Sequence, residues 1–209
     1  MLIAARNSVT KRGIPYTAEV EYLESTGTQW IDTGIDYFPD FEIGIVCPTS
    51  NAINALGIDA LNRLTRRSSA NPYWQVVAGG SSAISTFPLT TYADISYRSG
   101  TLRINGEMFG SQANSFPTGA LYLFTSAHNL PTAYAAKLYY FRAYDSNNVL
   151  VRDFIPVRVG SGSSAVGYLY DRANPTGGPL GNGLYGNAGT GAFVLGPDKT
   201  SSGGGGVGI

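Results

Sequence analysis

Asp94-Ile-Ser-Tyr-Arg-Ser-Gly-Thr-Leu-Arg-Ile-Asn-Gly-Glu-Met-Phe109 is the stretch whose reading decides the fold. Ile95 and Tyr97 alternate with Ser96 and Arg98, and Leu102 and Ile104 alternate with Thr101, Arg103 and Asn105. A period of two is the signature of a strand with one buried and one wet face. The two alternating runs are separated by Arg98-Ser99-Gly100, and the second ends at Asn105-Gly106. Asn-Gly is the strongest short hairpin signal, because the tight turn needs positive φ at both central residues. Three strands joined by two such turns predict an antiparallel meander.

The same grammar extends along the chain. Val20 and Tyr22 alternate with Glu19 and Glu21; Phe41, Ile43 and Ile45 alternate with Glu42 and Gly44. Strands are also expected at 29–33, 74–78, 120–124, 137–144, 149–155, 166–170 and 192–195. The run 137–144 is apolar or aromatic on both faces, which predicts a central strand covered on both sides. Pro156 cannot donate to a ladder, so it is expected to end its strand or sit at an edge. One helix is expected, over 59–67, from the spacing of Leu61 and Leu64. About ten short strands with Gly-rich turns predict an all-β fold of two packed antiparallel sheets.

Composition agrees. The chain has 209 residues, of which 43% are hydrophobic, enough to bury one core and short for two full domains. Only 13% are charged, while Gly reaches 27 and Tyr 14, a profile that favours strands and tight turns. Three segments follow: an arm at 1–18, a sandwich at 19–197 and a Gly-rich, linker-like tail at 198–209. Formal net charge is zero, so no electrostatic footprint for nucleic acid or an anionic membrane is expected. A surface with little self-repulsion tolerates close packing, which is compatible with a homo-oligomer. No apolar run approaches a membrane-spanning length. The start Met1-Leu2-Ile3-Ala4-Ala5-Arg6 turns polar too soon for a secretory signal, so synthesis and retention in a cytoplasm, or release by lysis, is expected.

A resemblance can now be placed on particular residues. Tyr92 to Glu107 resembles the hairpin of laminin-G and concanavalin A-like jelly-roll domains, in which a strand ends in Asn-Gly-Glu. Glu21-Tyr-Leu-Glu-Ser-Thr-Gly-Thr-Gln-Trp-Ile-Asp-Thr-Gly34 is similar to the opening strand pair of a laminin-G-like subgroup common in phage and prophage structural proteins and in gut-bacterial surface proteins. The closing block of that subgroup resembles Lys137 to Asp145, Leu150 to Pro156, Gly167 to Asp171 and Tyr185 to Gly191. The likeness covers about residues 19–197. It implies a concanavalin A-like jelly roll in a binding or structural role, often in a virion. On that footing the expected protein decorates a capsid or serves a head fibre or tail. Its partners would be capsid or fibre subunits, reached through the N-terminal arm. Host-surface glycans are the other expected partner, in the alternative of a carbohydrate-binding adhesion module. A glycoside hydrolase ranks third, since the fold alone does not set function.

The residues themselves offer little catalytic chemistry, and no enzyme is expected. Glycoside hydrolysis needs two facing carboxylates. The nearest cluster, Glu19, Glu21 and Glu24, reads as a solvated face. His128 is the only histidine and lies in a loop-like segment without a Gly-x-Ser-x-Gly elbow. Cys47, the only cysteine, excludes an internal disulfide and reads as a small core residue. Asp32, Asp36 and Asp40, spaced by four, could seed a Ca2+ site, against the preferred reading of turn-forming aspartates. Asn71-Pro72-Tyr73-Trp74 has the composition of a saccharide-stacking site; the preferred reading places Trp74 in a core strand, as for Trp30. The run Arg63 to Arg67 reads as a solvated face rather than an anion patch.

Overall fold

The computed structural model describes residues 13–47, 53–67, 73–84, 92–126 and 133–200. Strand makes up 51% of the described residues and helix 2%, so the fold is all-β. In chain order the strands are β1 (Ala18–Glu19), β2 (Leu23–Ser25), β3 (Ile31–Asp32), β4 (Asp40–Val46), β5 (Ile53–Gly57) and β6 (Arg63–Arg67). They continue as β7 (Tyr73–Ala78), β8 (Ser81–Ile84), β9 (Ala93–Arg98), β10 (Thr101–Ile104), β11 (Glu107–Ser111) and β12 (Tyr122–Leu123). The last five are β13 (Ala136–Tyr144), β14 (Leu150–Val159), β15 (Val166–Asp171), β16 (Leu184–Tyr185) and β17 (Val194–Leu195).

The meander forms as its sequence requires. Ile95 pairs with Ile104 and Tyr97 with Leu102, and all four side chains are buried. Ser99 and Gly100 close the first turn with φ of 49° and 75°, and Asn105 and Gly106 close the second with 50° and 84°. These are the left-handed conformations that two-residue hairpin turns demand.

Two antiparallel sheets pack into a sandwich, an arrangement consistent with a jelly roll. The larger has 11 strands and runs β11-β10-β9-β4-β13-β14-β15-β16, with β1 on β14, β2 on β13 and β17 on β2. The smaller has six, in the order β3-β12-β5-β6-β7-β8. Phe41, Ile43, Phe141 and Phe154 of the large sheet and Leu56, Leu64, Trp74 and Leu123 of the small one belong to one buried core. Full burial of each such side chain contributes about 1.5–3 kcal/mol.

Three expectations need correction. There is no helix over 59–67. Ile58 N–H bonds to the Asn62 carbonyl, the Asp59 carboxylate accepts from Leu61 N–H, and the chain then enters β6. Leu64 is buried but Leu61 is 56% exposed, so the helical spacing of the two leucines marks no common apolar face. Pairing with β5 and β7 on both sides overrides local preference. Pro156 lies inside β14, not at its end or at a sheet edge. Its carbonyl accepts from Val20 N–H, where one flank of β14 passes from β13 to β1, and the missing donor falls in that changeover. Third, β13 is central, between β4 and β14, but its faces differ. Leu138, Phe141 and Ala143 are buried, whereas Tyr139, Tyr140, Arg142 and Tyr144 remain half-buried on the outside.

Pairing extends from Thr17 to Lys199. Thr17 N–H bonds to the Arg158 carbonyl, Val20 bridges Asp198, and Lys199 N–H bonds to the Glu19 carbonyl. Arg158 holds both oxygens of Asp198 at 2.7 Å. Residues 1–12 of the expected arm and 201–209 of the expected tail lie outside the described residues. Among the described residues no helix is long and apolar enough to cross a membrane.

Cys47 is fully buried, and burial pushes its thiol well above the usual range. A thiol held protonated is a poor nucleophile. Ellman's reagent should therefore react with Cys47 only after denaturant unfolds the chain; rapid native labelling would contradict the burial.

Candidate functional site

The residues that open and close the sandwich are spent largely on each other. The Gln29 side chain is buried; its carbonyl accepts from Thr26 N–H at 2.7 Å, and its amide donates to Thr28 Oγ1 and to the Thr190 carbonyl. Asn187 Oδ1 accepts from Trp30 N–H and Gly189 N–H. Ala188 N–H bonds to the Trp30 carbonyl and Thr190 N–H to the Thr28 carbonyl, so the closing loop runs along residues 28–30. This approach requires Gly189, where a Cβ would lie 2.1 Å from the Thr28 carbonyl oxygen.

A second brace lies beside it. Arg152 Nε donates to the Thr33 carbonyl and Nη2 to the Gly34 carbonyl. Arg152 Nε also sits 3.6 Å from Oδ2 of Asp171, whose side chain is fully buried. Asp171 Oδ1 accepts from the Asp153 and Ala173 N–H groups. Asp153 in turn pairs with Arg142 and Arg172, while Phe154 packs inward.

Between these braces the surface is hollow. A cleft of about 580 Å³ is lined by Asp32, Val166, Tyr168, Leu180, Asn187 and Phe193 among others. An adjoining hollow of about 330 Å³ shares Asp32 and Pro179 with it and adds Gly34, Gly178 and Tyr185. Both volumes are in the range of small-ligand sites. Leu180 is 56% and Val166 44% exposed, so the rim offers aliphatic surface to solvent. Asp32 Oδ1 accepts from Gly34 N–H at 2.9 Å, and the second oxygen has no partner among the described residues. Tyr122, paired with Asp32 across the strands, stacks edge-on with Trp30 at 5.2 Å. Burial first and the Asp32 charge second push its phenol upward, which keeps it a neutral donor.

The outer face of the large sheet is different. Tyr139 meets Tyr22 and Tyr92 at ring distances of 5.5 and 5.0 Å, and Tyr140 donates to Asp94 at 2.5 Å. Gly44 makes the room: a Cβ there would lie 2.7 Å from both the Tyr140 ring and the Tyr92 hydroxyl. Arg98 and Arg142 share Glu42, and Arg98 covers the Tyr144 ring at 3.3 Å. The charges here are largely matched within the face.

The residues singled out in the sequence do not come together. Trp74 is 1% exposed, in the core as the preferred reading has it, and presents no ring face to a sugar. Tyr73 is half-buried at the start of β7, and Asn71 lies outside the described residues, as does His128. Asp32 lines the cleft and Asp36 is exposed, but Asp40 is buried, accepting from Ser99 N–H and from Asn114. Among the described residues no three Asp, Glu, His or Cys side chains are grouped as metal ligands, and Asp32, Asp36 and Asp40 are not brought together as the alternative Ca2+ reading requires. The Arg63 to Arg67 run is not a solvated face either: it is β6, with Arg66 2% exposed and Arg67 donating to Gln75. Tyr168 and Val166 went unread as site residues, although the alternation of Val166, Tyr168 and Tyr170 along β15 already marks them as one face.

No protein-family model matches the chain, and no curated protein matches it. Among solved structures it is similar to one from Bacteroides ovatus ATCC 8483 named a "putative carbohydrate binding protein", with a TM-score of 0.50 and 13% identity. The match covers 87% of this chain but only 61% of that one. Likeness at this level of identity shows the fold alone: an all-β sandwich of two antiparallel sheets.

Proposed function

We propose that the protein is a saccharide-binding β-sandwich that holds its ligand in the Asp32 cleft without transforming it. The observation that carries this reading is the pairing, in one hollow, of an exposed aliphatic rim (Val166 and Leu180) with a carboxylate oxygen that no neighbour among the described residues uses. A sugar ring presents apolar C–H faces and hydroxyl edges; the rim suits the first and Asp32 the second. Tyr168 adds a ring and hydroxyl at the same cleft. The similarity to a structure named for carbohydrate binding supports the same direction. Hydrolysis uses two opposed carboxylates, and Asp32 is the single acidic side chain lining the cleft among the described residues. The expectations of a virion location and of capsid or fibre partners find no support in the comparisons.

A glycan array followed by calorimetry tests the reading. At least one glycan should bind, and Asp32→Ala should weaken it by about 10- to 100-fold, the range for losing a hydrogen bond to a charged group. Tyr168→Ala should weaken it as well. An array with no signal, or binding indifferent to both changes, overturns the reading.

A further inference from the structure

We infer that the cleft selects uncharged saccharides and turns acidic ones away, an inference that rests on the saccharide reading above. Asp32 is the one charged side chain among the described residues that line either hollow. Its Oδ1 is fixed by Gly34 N–H, which leaves the second oxygen as the open acceptor. Arg152 approaches the smaller hollow, reaching the Gly34 carbonyl at 3.2 Å. Its charge is already matched by the buried Asp171 carboxylate, 3.6 Å away. The cleft therefore carries one unmatched negative charge. Asp32 itself is exposed, and Val166, Leu180, Pro179 and Phe193 line the same cleft with apolar atoms and no opposite charge.

A neutral sugar answers this arrangement, because its hydroxyls donate to Asp32 and its C–H face covers the aliphatic rim. A uronic or sialic acid brings a carboxylate to a site that offers it an acceptor and, among the described residues that line it, no cation. Like charges set opposite each other weaken binding by more than the factor of ten that separates adjacent decades of Kd.

The test uses matched pairs in which only the charge differs: tetragalacturonate against its methyl ester, and sialyllactose against lactose, alongside the neutral glycans of the array. At pH 7 and low salt the acidic member of a bound pair should bind at least about tenfold more weakly than its neutral counterpart. Asp32→Asn keeps the acceptor for Gly34 and removes the charge, so it should close most of that gap. Raising salt should narrow the gap in the wild type too, since the screening length falls from about 30 Å at 0.01 M to about 3 Å at 1 M. Acidic glycans that bind as tightly as neutral ones, with binding still lost in Tyr168→Ala, overturn this inference and leave the saccharide reading standing. A gap that Asp32→Asn leaves unchanged overturns it equally. If neither class of glycan binds, both fall together.

Discussion

Arg152→Leu destabilises the folded chain by about 3–5 kcal/mol, the usual cost of stripping a buried charge of its partner. Asp171 is 0% exposed, and Arg152 is its ion-pair partner. Its Oδ1 is satisfied by two backbone N–H groups, but Oδ2 has no hydrogen bond and depends on the guanidinium 3.6 Å away. The same arginine satisfies the carbonyls of Thr33 and Gly34, so its loss also releases the turn that follows β3. Since domains are stable by only about 5–15 kcal/mol, this is a large share of the total. Urea unfolding of the single variants and of Arg152→Leu/Asp171→Asn measures it. The double variant should be less destabilised than Arg152→Leu, because neutralising Asp171 removes the stranded charge. A loss below about 1 kcal/mol in Arg152→Leu would mean that water reaches the carboxylate and the pair is ordinary surface chemistry.

Gly189→Ala is the second large effect. The added methyl would meet the Thr28 carbonyl oxygen at 2.1 Å and the Trp30 ring at 2.8 Å. A backbone oxygen cannot rotate away as a flexible side chain can, so the closing loop must lift. Lifting it breaks the bonds from Ala188 N–H to Trp30 and from Thr190 N–H to Thr28. Overpacking costs about 1–3 kcal/mol, and the lost bonds add to it. For a chain of this size a loss of about 3 kcal/mol lowers Tm by roughly 6–12 °C. Thermal unfolding followed by circular dichroism reads this directly, and an unchanged Tm refutes the close approach. Because residues 186–193 supply one wall of the cleft, Gly189→Ala should also weaken glycan binding at temperatures where the rest of the sandwich is intact.

How much was legible differs between the fold and the site. The meander was readable because Asp94 to Phe109 is locally self-consistent: period-two alternation and two turns that favour positive φ. The β5 and β8 strands were not. Ile53–Gly57 is buried on every residue and shows no alternation, and Ser81–Ile84 is small and polar except at its end. The β6 strand was misread because Leu61 and Leu64 mimic a helical stripe, and only pairing with two neighbours reveals otherwise. Among the candidate ligands, Asp32 was noticed for a metal it does not share with Asp36 and Asp40. The cleft joins residue 32 to residues 166–168 and 179–193, and no local pattern announces a meeting across more than a hundred positions. Leu180, in a Gly- and Pro-rich loop, carries no periodicity that would mark it as a rim.

The bridge between Val20 and Asp198 sets the first and last described parts of the sandwich on neighbouring antiparallel segments. Residues opposed in this way stand about 4.5–5.5 Å apart. A host protein could accept the whole sandwich as a cassette spliced into a surface loop, opening that loop by little more than one strand spacing. The cleft would then travel with the insert, because every segment that builds it lies between those two residues.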